Sequence, residues 1–68
     1  MGDKVFKKGR LVGCSEKGIE RAIEAALAKA QETVHGGSWF EVVEIRGGVR
    51  EGRVAEYQVA VDLGFRVD

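Results

Sequence analysis

Proline is absent from this 68-residue chain, and cysteine, histidine, tryptophan and tyrosine occur once each. Without proline, no strand or helix carries a forced break. The single cysteine, Cys14, excludes an internal disulfide. Cys14 and His35 together do not make a zinc site. Neither sign of charge is in excess, with 11 Lys and Arg against 11 Asp and Glu. No global field therefore steers the chain to nucleic acid. No apolar run approaches the roughly 20 residues needed to span a bilayer. The stretch Met1-Gly2-Asp3-Lys4 lacks the apolar core of a secretory signal, and a free thiol suits a reducing compartment. The expectation is a cytoplasmic protein that engages neither membrane nor nucleic acid.

The length allows one domain over residues 1–68. Such a chain buries only about 60% of the surface its unfolded form exposes. With disulfide and metal set aside, self-association is the remaining source of stability.

What the chain does have is alternation. Val5 to Val12 reads as a strand whose Lys and Arg content suits a sheet edge. Gly13-Cys14-Ser15 reads as a turn, with Ser15 as the helix N-cap. Ile19, Ala22, Ile23, Ala26, Leu27, Ala30 and Val34 recur at three and four, the stripe of a helix from about Glu16 to about Val34. Its alanines permit close approach to a sheet. Gly36 is placed for a left-handed C-cap, and His35 for a cap or rim role at the helix end.

Trp39 to about Val49 is the second strand and Val54 to Val67 the third. Strict alternation puts Trp39, Glu41, Val43 and Ile45 on one face and Phe40, Val42, Glu44 and Arg46 on the other. A two-residue turn at Glu51-Gly52 sets Arg50 opposite Arg53, Phe40 opposite Leu63 and Trp39 opposite Gly64. It also sets Glu41 against Asp62, a like-charge pair that argues for a longer or bulged connection. The expected fold is α+β, in the order β-α-β-β: a three-stranded antiparallel sheet wrapped on one helix. That helix is expected to cover the side of Phe40, Val42, Val59, Val61, Leu63 and Phe65. The other side keeps Trp39, Val43, Ile45 and Gln58, an uncovered patch that marks an interface or ligand site.

The chain holds no Ser-His-Asp arrangement, no metal-ligand cluster and no phosphate loop of the usual types. Gly47-Gly48 with Gly52 lies in a hairpin, not between a strand and a helix, so it is no dinucleotide fingerprint. Cys14 precedes the helix, a setting that reactive thiols use, but a small turn residue is the better reading of it. Trp39 taken alone reads first as the anchor of a core or subunit interface.

Taken together, Gly13-Cys14-Ser15, the alanine-rich helix, Trp39-Phe40-Glu41-Val42, Ile45-Arg46-Gly47, Tyr57-Gln58-Val59 and Gly64-Phe65-Arg66 resemble the dodecins. The resemblance covers nearly the whole chain, in order and with compatible spacing. The chain departs from the family pattern at His35-Gly36-Gly37-Ser38, Gly9 and Cys14. What the resemblance implies is a hollow homododecamer that stores flavin, FMN or riboflavin, in pairs at subunit interfaces and quenches its photochemistry without turnover. It also permits coenzyme A on the shell. Trp39 matches the tryptophan that stacks on the isoalloxazine, and Gln58 the glutamine that bonds the polar edge of the ring. Arg46 and Arg66 match basic positions beside the site. The rival reading is a ligand-free assembly module in which Trp39 packs an interface.

Overall fold

The computed structural model describes residues 2–33 and 36–67. The stripe position Val34 and the role expected of His35 lie outside the described residues. The order is β1 (Val5–Ser15), α1 (Ile19–Thr33), β2 (Gly37–Arg50) and β3 (Arg53–Val67). The three strands form one antiparallel sheet in the spatial order β1-β3-β2. This is the expected α+β arrangement, with the last strand in the middle.

β1 runs three residues past its expected end, through Gly13, Cys14 and Ser15. Glycine at 13 makes this extension compatible with the helix. A Cβ there would overlap the backbone carbonyl oxygen of Ala22 and stand 3.0 Å from the Ala26 side chain. The helix therefore lies almost on the backbone of β1, through its alanines. Ala22, Ala26 and Ala30 are the buried residues of α1, one turn apart on one line.

Ser15 is not the N-cap that was expected. It ends β1, and its Oγ accepts a hydrogen bond from the Lys17 N–H at 3.0 Å, closing a local turn. The helix begins at Ile19, and the Gly18 carbonyl accepts from the Ala22 N–H at 3.1 Å. Gly18 has φ 151°, a value that side-chain-bearing residues rarely adopt. The acid in the first turn is Glu20 rather than Glu16. Gly36 is left-handed at φ 81°, as the stop signal required.

The β2–β3 hairpin closes on Glu51 and Gly52, with φ 52° and 76°. Two positive values at the central residues are those of a type I′ turn, whose twist matches the strands. Arg50 pairs with Arg53, Val42 with Val61, Glu41 with Asp62, Phe40 with Leu63 and Trp39 with Gly64, all as the two-residue turn predicts. The carboxylates did not force a longer loop.

Between those points the register slips and recovers. Val42 pairs with Val61 but Glu44 with Ala60, which leaves Val43 as an extra residue in β2. Gly48 pairs with Glu56 but Val49 with Val54, which leaves Ala55 as an extra residue in β3. The second irregularity falls where Gly47-Gly48 allowed a bulge. The first overturns strict alternation: Ile45 now pairs with Val59 on the helix side, while Glu44 and Arg46 join Trp39 on the side facing away from it.

Val59 and Val61, fully buried, form the core with Leu63 and the three alanines. α1 packs on β1 and β3. The expectation that it also covers Phe40 and Val42 fails. Both are exposed, as are Val43, Ile45 and Val49, because an alanine-lined contact centred on β1 leaves the helix too far over to shield β2. The protomer extends 56 × 20 × 14 Å with a radius of gyration of 14.2 Å. A compact chain of this length has a radius near 11 Å. Its accessible surface of 5239 Å² compares with about 4,200 Å² for a compact monomer of its mass. No helix of the described residues is long and apolar enough to cross a membrane.

Gly13→Ala should destabilise the fold by about 1–3 kcal/mol, because the helix must lift off β1. Urea titrations of both proteins at one fixed protein concentration measure it; an unchanged midpoint contradicts the close contact.

Candidate functional site

The sheet face away from the helix is a continuous polar and aromatic surface. β3 contributes Glu56, Gln58, Ala60, Asp62, Gly64 and Arg66 to it, at every second position. Their register partners on β1 are Cys14 for Gln58, Val12 for Ala60, Arg10 for Asp62, Lys8 for Gly64 and Phe6 for Arg66. Those on β2 are Gly48, Arg46, Glu44, Glu41 and Trp39, in the same direction along the sheet.

Trp39 occupies one end. Its indole lies across Gly64, and a Cβ at that position would overlap the ring atoms. Phe6 from β1 packs against it with ring centroids 5.9 Å apart at 57°, a tilted aromatic contact. The indole is still 39% exposed. Arg66 lies two residues beyond Gly64 on the same face, cross-strand from Phe6.

Gln58 occupies the other end. The six residues from Gly64 to Gln58, at about 3.3 Å each, separate it from Trp39 by about 20 Å. Arg46 donates from Nε to Gln58 Oε1 at 3.1 Å, and from Nη1 to Glu44 Oε1 at 3.0 Å. Gln58 Nε2 donates to Glu56 Oε2 at 2.8 Å. The sheet therefore brings Arg46 to Gln58, and Arg66 to the neighbourhood of Trp39, but holds the two groups apart. Cys14 is exposed and sits opposite Gln58 within β1, not in a turn before the helix.

Between the two ends lies an ionic cluster that the sequence reading did not single out. Arg10 grips Asp62 with two bonds, Nε to Oδ1 at 2.7 Å and Nη2 to Oδ2 at 3.1 Å. Lys8 Nζ reaches Glu41 Oε1 at 3.2 Å and Asp62 Oδ2 at 3.4 Å. Two cations thus offset the facing pair Glu41 and Asp62. Asp62 is 3% exposed, and its hydrogen bond from Arg10 holds its carboxyl below the usual range against the opposing effect of burial, with Lys8 assisting. Glu56 escaped the sequence reading, which also set Glu44 on the opposite face. The available signal for Glu56 was its position two residues before Gln58; for Glu44 it was the bulge, which no residue pattern announced.

An alanine-lined helix on a β1-β3-β2 sheet, with the opposite face and β2 left uncovered, defines a small α+β class. Residues 5–68 match the dodecin family model. The chain belongs to the dodecin family. It is 55% identical to the dodecin of Thermus thermophilus over 65 residues, 96% of this chain and 94% of that one. The crystal structure of a Thermus thermophilus protein, also 55% identical, superposes with a TM-score of 0.91 over 97% of both chains. The dodecin of Streptomyces coelicolor, 35% identical, superposes with a TM-score of 0.92 over 100% of this chain and 97% of that one.

The lowered Asp62 pKa fixes the sign of an acid effect. A carboxylate whose folded pKa lies below its unfolded value, near 3.9, stabilises the fold above that pH and loses the contribution as pH falls through the folded value. Asp62→Asn should therefore be less stable than the parent at pH 7, with the gap closing below about pH 4. Denaturant midpoints at pH 7 and pH 3 check this; a gap independent of pH assigns Asp62 no ionic role.

Proposed function

We propose that this protein stores and sequesters flavin, FMN or riboflavin, held non-covalently between copies of the chain, and catalyses no reaction. The observation that carries the reading is the separation of Trp39 from Gln58. One end of the open face offers a partly exposed indole, the other a carboxamide, about 20 Å away along one strand. A fused three-ring ligand is too short to touch both on one protomer. Two copies facing each other supply both, the indole from one and the carboxamide from its partner, as an isologous contact does twice.

The chemistry of each end supports the ligand class. A flat aromatic ring over the exposed side of Trp39 gains apolar burial and offset stacking. A carboxamide carries a donor and an acceptor, matching the imide edge of an isoalloxazine. Arg46 stands behind Gln58 with its charge offset by Glu44, and Arg66 stands beside Trp39, where it brings positive charge to the rim of that half-site. An indole in contact with a photoexcited flavin donates an electron and quenches it, which is protection rather than turnover. The uncovered faces of β2 and the surplus surface of the protomer support self-association, and family membership favours the hollow dodecamer. A cytoplasmic location fits the exposed free thiol at Cys14.

Riboflavin fluorescence should fall by more than half when the protein is added in excess, and Trp39→Ala should remove most of that quenching while light scattering shows an unchanged assembly. Undiminished emission with the parent protein leaves the ligand-free assembly module as the reading. Dissociation of the Trp39→Ala assembly makes the indole interface packing.

A further inference from the structure

Gln58 is not free to present its carboxamide either way round. A carboxamide has two N–H donors and two acceptor lone pairs. Arg46 Nε occupies one lone pair of Oε1, and Glu56 Oε2 takes one hydrogen of Nε2. Glu44 holds the guanidinium from its far side at 3.0 Å. Turning the carboxamide over would set its NH₂ against a guanidinium and its oxygen against a carboxylate, two repulsive contacts in place of two charge-assisted bonds. What remains for a ligand is one acceptor and one donor, in fixed order.

From this we infer that Glu56 is a positioning residue that, with Arg46, locks Gln58 so that the site selects ligands carrying an unsubstituted imide N–H beside a carbonyl. The inference rests on the flavin reading of the site and deepens it: the flavin accepted is the one protonated and unalkylated at N3. A locked Oε1 accepts from that N–H while the free Nε2 hydrogen donates to the adjacent carbonyl. An alkyl group at N3 removes the donor and faces the lone pair with a methyl. Glu56 acts through Gln58 and does not touch the ligand itself. The bulge at Val43 is what makes the lock available, because it turns Arg46 and Glu44 onto the face of Gln58.

The test compares riboflavin with N3-methylriboflavin by fluorescence titration of the assembled protein, and reads the ratio of their affinities. The parent should favour riboflavin by at least about tenfold, the worth of one hydrogen-bonded partner left unmatched. Glu56→Met, which keeps the length of the side chain and loses the acceptor, should bring the ratio down about tenfold by letting the carboxamide turn. Glu56→Gln, which retains an acceptor oxygen, should keep the parental ratio. Parental selectivity in Glu56→Met overturns the lock while the flavin reading stands. A parent protein that does not discriminate between the two flavins also overturns the lock. A parent that quenches neither flavin overturns the flavin reading itself, and with it the ligand class assigned here.

Discussion

One extra residue in β2 decides which side chains meet. Side chains alternate with a period of two, so the insertion of Val43 inverts every position that follows until a second bulge absorbs it. Without it, Arg46 and Glu44 would point toward the helix layer, away from Gln58, and Ile45 would lie among the charges. With it, a guanidinium reaches the Gln58 carboxamide and an isoleucine joins Val59. The polar row Glu44-Arg46-Gln58-Glu56 exists only because of that insertion, and its four members satisfy one another on a half-exposed surface.

The second constraint is the closeness of the helix. Glycine at 13 and alanines at 22, 26 and 30 bring α1 close onto β1, with Val59, Val61 and Leu63 of β3 packed beneath it. Such a contact buries little apolar volume and leaves the large residues of β2 outside. The protomer is consequently long and thin, with its remaining apolar surface arranged along one free strand and one free face. Among the described residues no further element is left to cover that surface, and an apolar surface left open in this way marks a contact site.

The open face is polar where it is held together and aromatic where it is bare. Glu41 and Asp62, facing each other across the strands, survive as a pair because Lys8 and Arg10 come in from β1 on the far side of β3. Pairwise reasoning within the hairpin could not see those cations, since it concerned only two of the three strands. The same third strand brings Phe6 to the indole of Trp39. β1 thus completes two contacts whose other halves belong to the hairpin.

Much of this was legible from residue patterns alone: the β-α-β-β order, the alanine stripe, the Glu51-Gly52 turn, Arg50 opposite Arg53 and Trp39 opposite Gly64. Each follows from local periodicity or from the conformational freedom of glycine, properties that act within a few residues. The exposed indole and carboxamide on the uncovered face were legible for the same reason. The helix start was misread, since Ser15 bonds its own turn as readily as it caps a helix. The bulge at Val43, the bare β2 and the cations over Asp62 were decided only by the tertiary structure. They depend on how three strands and a helix share space, and strand pairing between residues far apart in sequence leaves no periodic trace in either partner.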